Sequence, residues 1–167
     1  MDIDVTAIPI TQLIPHRQSM CLIDRVVAFA DKTIVAAFTV DASNIFLVDE
    51  GYVPVWVGLE YMAQTIAAYT GLNHYLNHEP IKPGFLLGTR RLETQVEGFF
   101  PQSTYWVTAT EIYEDNGLSV FKAILYQAQG GVNPFAEKVE DDEWLVRASV
   151  NVFQPDDPSQ MLQQSVL

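Results

Sequence analysis

The chain has 167 residues, 49% of them hydrophobic and 18% charged, which excludes a disordered polymer and supplies enough apolar mass for one domain with a real core. Lys and Arg number 9 against 21 Asp and Glu, and the formal net charge of −12 argues against nucleic acid as a partner, since a phosphate binder needs basic stripes. The single Cys21 excludes an intrachain disulfide and fits a reducing, cytoplasmic setting.

The first residues, Met-Asp-Ile-Asp-Val, are acidic where a secretory signal would be basic, so no signal is expected there. Residues 10–14 read as a short helical turn, with Thr11 as N-cap and Pro15 ending it. Residues 20–29 and 33–40 are β-rich runs, and Asp31-Lys32 between them reads as a tight hairpin turn. Residues 41–54 form a loop broken by Asn44, Asp49, Glu50 and Gly51.

A long helix is expected over residues 55–77, with Pro54 just before it. From Leu59 to Leu76 it is apolar on nearly every side and rich in Ala and Gly, so it should be buried. Glu60, Gln64, Asn73 and His74 interrupt it and no basic flank follows, which excludes a membrane span. Glu60 is the anomaly, because a carboxylate on a buried helix is costly without a partner or a task. Gln64 stands one turn later on the same face.

Residues 78–84 are a second loop, with Pro80, Pro83 and Gly84. Residues 84–96 are a long strand candidate. Residues 104–112 alternate, with Tyr105, Val107 and Ala109 on one side and Thr104, Thr108 and Thr110 on the other. Asp115-Asn116-Gly117 is a strong hairpin signal before a strand at 118–128. An irregular insert at 129–142 leads to a last strand at 143–153, with Trp144, Val146, Ala148, Val150 and Val152 on one face. The tail beyond Gln154 is polar.

These elements predict an α+β chain with a single domain over 1–155 and a flexible tail over 156–167. One apolar helix needs apolar cover on most sides, and a curved antiparallel sheet wrapped around it is the simplest cover. That arrangement is the hot-dog fold. An exposed sheet edge in it is commonly protected by dimerisation, so a homodimer or heterodimer is expected.

Several chemistries find no support. No Cys/His cluster has metal-ligand spacing, no Gly-x-Ser-x-Gly elbow occurs, and no phosphate-binding Gly-rich loop occurs, so neither metal nor cofactor is expected. Asp141-Asp142-Glu143 is a solvated charge run.

Three segments resemble the hot-dog 3-hydroxyacyl-acyl-carrier-protein dehydratases. Leu13-Ile14-Pro15-His16-Arg17, continuing to Leu22-Ile23-Asp24-Arg25-Val26, is similar to that family's N-terminal signature. Glu60-Tyr61-Met62-Ala63-Gln64 is similar to the start of its central helix. The stretch from Gly84-Phe85-Leu86-Leu87-Gly88 to Phe100-Pro101-Gln102-Ser103 is similar to the strand and turn that line its acyl tunnel, which implies Phe85 and Gly88 as substrate contacts. The family's catalytic His precedes the central helix in a Gly-His-Phe-Pro-Gly loop. Here the loop at 46–54 is shorter and holds no His. The chain therefore looks more like the divergent branch found in aryl-polyene pathways, and the resemblance implies an acyl carrier protein as the substrate's bearer.

Dehydrating a 3-hydroxyacyl thioester needs a base for the α-proton, an acid for the departing hydroxyl and donors for the enolate oxygen. Glu60 is the candidate acid, and the helix-start amides of Val57 and Gly58 are candidate donors. Gln64 would hold Glu60 or a water. His74 and His78 are poor bases, since the 14 residues from Glu60 to His74 span roughly 21 Å of helix. His16 is then the candidate base. Arg90-Arg91 is either a carrier-docking patch or a solvated strand edge, and as a docking patch it would work against the acidity of the whole chain. Two other readings fit the same residues: a hot-dog thioesterase with Glu60 as nucleophile or base, and a non-catalytic partner that walls the tunnel of a sister subunit.

Overall fold

The computed structural model describes residues 3–128, 135, 143–157 and 159. Strands β1 (Arg25–Ala30) and β2 (Thr33–Thr39) form a hairpin, and a two-residue strand β3 (Val53–Pro54) leads through a short 3₁₀ turn (Val55–Val57) into helix α1 (Gly58–Leu76). Strands β4 (Phe85–Thr94), β5 (Gly98–Phe99), β6 (Thr104–Asp115), β7 (Leu118–Gln127) and β8 (Trp144–Phe153) follow. Six of them make one antiparallel sheet in the order β1-β2-β6-β7-β8-β4, and β3 pairs with β5 separately. The expected hot-dog arrangement is present: one long helix against one large antiparallel sheet.

Local chemistry explains the hairpins. Asn116 (φ 50°) and Gly117 (φ 85°) both occupy the left-handed region that a tight two-residue turn demands, and Asp115 then pairs with Leu118. Asp31 takes φ 45° in the first hairpin. The alternation expected in β6 holds, since Tyr105, Val107 and Ala109 face the main core. There they meet Tyr61, Met62, Ile66 and Leu72 of α1, together with Phe121, Leu125 and Val150. Phe38 stacks on Tyr61 with ring centres 3.6 Å apart. A smaller cluster on the sheet's other face joins Val35, Ala37, Trp106 and Tyr126.

Some expectations need correction. The run at 20–29 is strand only from Arg25, and Gln18–Met20 is a 3₁₀ turn instead. The backbone of Met20 and Leu22 bonds to the side chain of Gln64 rather than to a strand. Thr11 is no N-cap: it lies inside the turn Ile10–Gln12, which Pro9 precedes. The loop at 41–54 ends in β3. In β8, Val146, Ala148 and Val150 are buried and Val152 packs against them, but Trp144 departs from that face and carries the Arg147 guanidinium 4.3 Å from its ring centre. The insert at 129–142 lies outside the described residues except for Phe135, as does most of the tail at 156–167.

Two junctions fix what lies over α1. Gly71 is the point of closest approach: a Cβ there would stand 1.8 Å from the Leu13 carbonyl oxygen. At the opposite edge of the sheet, β4 carries two bulges, between Leu86 and Gly88 and between Thr89 and Arg91. Gly88 holds φ 145° at the first, a conformation L side chains rarely adopt. Among the described residues β4 pairs only with β8, which leaves its outer edge open there.

Candidate active site

The N-terminal segment carries His16 to the helix. Leu13 and Ile14 are fully buried and anchor the segment on the core, and the turn Ile10–Gln12 closes at Leu13, two residues before the Pro15 expected to end it. Arg17 then folds back, its Nη1 donating to the carbonyls of Ile14 (2.6 Å) and His16 (2.8 Å). A guanidinium bonded to two neighbouring carbonyls stiffens the His16 backbone. His16 Nε2 stands 3.7 Å from Glu60 Oε1, and each side chain is about one-third exposed. His16 Nδ1 is sealed from solvent and has no hydrogen-bond partner among the described residues.

Glu60 is held by Gln64. The Gln64 side chain is fully buried, and three bonds use it: Leu22 N–H donates to its Oε1 (2.8 Å), and its Nε2 donates to Met20 O (2.8 Å) and to Glu60 Oε1 (2.9 Å). The backbone partners fix which end of the amide is oxygen, so the group facing Glu60 is an N–H. Glu60 also sits in the first turn of α1, where the helix dipole favours a carboxylate.

Beside this pair lies a cavity of about 130 Å³. Its helix wall is Glu60, Ala63, Ile66, Ala67 and Thr70, one face of α1 at helical spacing. Phe85, Val152 and Phe153 form apolar walls, with Lys82 and Gln154 also on the lining. The helix wall runs about 15 Å from Glu60 to Thr70, at 1.5 Å per residue. His74, too remote to work with Glu60 directly, reaches the lining through its Nε2, 3.2 Å from Gln154 Oε1, while its Nδ1 lies 2.8 Å from Glu79.

The remaining sequence candidates separate into groups. Phe85 lines the cavity. Gln64 supports Glu60 without lining it. Val57 is buried in the core. Gly58 lies about 200° round the helix from Glu60. Its N–H is bonded to the carbonyls of Val55 and Trp56, and a Cβ on it would meet the Phe99 ring at 3.3 Å. Gly88 sits at its bulge, and Arg90 and Arg91 are exposed on β4, none of them on the cavity wall. Two contributions were missed: the Arg17 clamp and the small-residue wall. The spacing of Glu60, Ala63, Ala67 and Thr70 was the available signal for the second.

Other nucleophiles are poorly placed. Burial pushes the Cys21 thiol up, against the opposing pull of Arg17, so it stays a thiol. Burial pushes the Tyr61 phenol up to about 12, and its oxygen accepts from Asn44 Nδ2 at 3.3 Å. Among the described residues no group of three or more His, Cys, Asp or Glu could hold a metal ion, and no helix is long and apolar enough to cross a membrane.

Known proteins give the geometry a context. Among solved structures, the dehydratase heterocomplex ApeI:P from Xenorhabdus doucetiae matches with a TM-score of 0.80 and 24% identity, over 94% of this chain and 97% of that one. A hypothetical thioesterase from Streptococcus pneumoniae, solved with coenzyme A, matches at TM-score 0.53 and 11% identity, over 78% of this chain and 84% of that one. The Escherichia coli PaaI protein matches at 0.51 and 11%, over 77% of this chain and 80% of that one. At these identities the likenesses speak for the fold. No curated protein matches the sequence. The family model described as ApeP dehydratase matches residues 8–163, and the chain belongs to that ApeP-like family.

Proposed function

We propose that this chain works in a dehydratase that removes water from a 3-hydroxyacyl thioester on an acyl carrier protein, giving the 2-enoyl thioester, in a pathway of the aryl-polyene type. One observation carries the reading: His16 faces Glu60 across 3.7 Å beside an apolar cavity. Elimination needs a proton-transfer group beside an apolar slot for the acyl chain, and here both occur together. The hot-dog neighbours named for thioesterases support the fold only, so ester cleavage stands as the rival outcome of the test.

A second observation favours a partnered site. A cavity of about 130 Å³ is smaller than the roughly 300–1,000 Å³ usual for ligand sites. The open edge of β4 exposes Leu86, Leu87 and Leu92. A second hot-dog subunit pairing along β4 would cover those leucines and complete the slot. It is either another copy of this chain or a sister dehydratase, as in the heterocomplex of the similar structure. On the sister-subunit reading, the loop at 46–54 lacks a His because the other chain supplies it. Arg90 and Arg91, on the same strand, are the proposed contact for an acidic carrier protein.

Intact-protein mass spectrometry of a 3-hydroxyacyl carrier protein tests this. Incubation with the chain, alone and with a candidate sister subunit, should show loss of water. Loss of the whole acyl group would instead establish a thioesterase. Activity only in the mixture would identify this chain as one half of the enzyme.

A further inference from the structure

We infer that His16 carries its proton on Nε2 and acts as a hydrogen-bond donor to the thioester carbonyl, while Glu60 alone carries the proton that moves. This rests on the dehydratase reading and divides its roles differently from the sequence-based expectation, in which His16 was the base and Glu60 the acid.

Two independent features fix the imidazole. The first is the buried Nδ1. A proton placed there would be a donor sealed from water and without an acceptor, whereas a bare Nδ1 leaves only a lone pair unused. The second is the atom facing Nε2. Glu60 Oε1 already accepts from Gln64 Nε2, and the orientation of that amide is set by Leu22 N–H and Met20 O. Oε1 is therefore an acceptor. A bare Nε2 would oppose lone pair to lone pair at 3.7 Å, and an Nε2–H makes the approach attractive. Both features select the Nε2–H tautomer.

That tautomer removes His16 from the role of base, because the nitrogen on the open side already holds the hydrogen and the other cannot be reached. A histidine acting as base normally has its second nitrogen hydrogen-bonded to a group that steadies the imidazolium. His16 has none. What it offers is a fixed N–H, suited to an oxygen on which negative charge develops. Gly58, one of the two helix-start amides expected for that task, is bonded elsewhere.

The proton must then travel on Glu60. Gln64 occupies Oε1, and Oε2 has no hydrogen-bond partner among the described residues, so Oε2 is the working atom. The Oε2 carboxylate takes the α-proton from C2. The electron pair of the C2–H bond moves toward the thioester carbonyl, whose oxygen is met by His16 Nε2–H. The pair then returns to form the C2=C3 double bond, the C3–O bond breaks, and the hydroxyl leaves as water with the proton from Oε2. Glu60 ends as the carboxylate it began as, and no co-reactant is needed.

The test has two arms. Nitrogen-15 long-range correlation spectra of the full chain labelled at histidine, with His16 assigned by its absence in His16→Gln, should show Nε2 protonated and Nδ1 bare. An Nδ1–H tautomer overturns the inference, whether or not any activity is present. In deuterium oxide, the active assembly should exchange the α-proton of a 3-hydroxyacyl pantetheine thioester. Glu60→Gln should lower exchange by about 10²–10⁴-fold, the usual worth of a general base, and His16→Gln, which keeps an N–H donor but displaces it, should lower exchange by a smaller factor. The reverse ranking overturns the inference. Thermal unfolding of both variants keeps the comparison on chemistry. An Nε2–H tautomer in a chain without exchange would sink the dehydratase reading and leave the tautomer assignment standing.

Discussion

The carbonyl oxygen of Leu13 stands where a side chain on Gly71 would begin, 1.8 Å from the ideal Cβ position. Helix α1 can therefore lie against the segment that carries His16 only because residue 71 has no side chain. Gly71→Ala sets two effects in opposition. Helix propensity favours Ala by about 1 kcal/mol. The clash is with backbone, which cannot rotate away, and overpacking of this kind typically costs about 1–3 kcal/mol or more. A carbonyl 1.8 Å from the new Cβ puts the clash at the top of that range, so urea denaturation should show a net loss of about 2 kcal/mol. Because Leu13 lies three residues before His16, the same variant should also lose dehydration activity at temperatures where it remains folded.

Gln64 joins the turn after His16 to the face of α1 that carries Glu60. In Gln64→Leu the shape is roughly kept, but Leu22 N–H and Met20 O lose their partners inside the protein. The buried Leu22 N–H left unpaired costs about 1–3 kcal/mol and the half-exposed Met20 carbonyl less, so the expected destabilisation is about 1–3 kcal/mol. Chemical denaturation reads it directly. A variant as stable as the parent would mean that the turn 18–22 finds other partners.

The contrast between these two positions explains what the residue pattern could reveal. The hairpin at Asn116-Gly117, the alternation of β6 and the apolar girth of α1 are local signals with periods of 2 and 3.6, and the elements appear where those signals lie. The Glu60–Gln64 contact was visible too, being one helical turn. Residues 20–24, at the start of the expected strand 20–29, are not strand, because the backbone of Met20 and Leu22 bonds to Gln64, more than 40 residues away. No local pattern encodes that. The cavity was legible only in part: the resemblance pointed to Phe85, which lines it, but the junction of α1 with the ends of β4 and β8 has no local signature beyond the Ala63 and Ala67 spacing.

The cavity wall makes a prediction about chain length. Ala67 sits midway along the helix wall, between Ala63 and Thr70. Ala67→Phe would place a ring in the slot beyond the His16–Glu60 pair. Short 3-hydroxyacyl carriers should still be dehydrated at near-parent rates, since the reacting atoms lie on the near side. Long ones should fall by about 10–200-fold in kcat/KM, the range set by a few methylenes of apolar contact. A uniform loss across chain lengths would mean that the acyl chain follows another path.

Tyr61 gives the fold an alkaline limit. Its phenol is wholly buried beneath Phe38 and is raised to about 12. An unfolded Tyr ionises near 10, so between about pH 10 and pH 12 the unfolded chain has lost this proton while the folded chain retains it. The unfolded state binds fewer protons there, and stability must fall as pH rises. The stabilisation is complete below about pH 10 and is lost through about pH 12, with a ceiling of about 2.7 kcal/mol for two pK units. Tyr61→Phe has no such proton to lose. Measured by urea denaturation, the stability of the parent relative to Tyr61→Phe should be constant near about pH 8–9 and decline by about 1–2 kcal/mol by about pH 11–12. A difference that stays flat across that range would show that the folded protein ionises Tyr61 as readily as the unfolded chain does, and that the phenol has access to water that its packing in the core denies it.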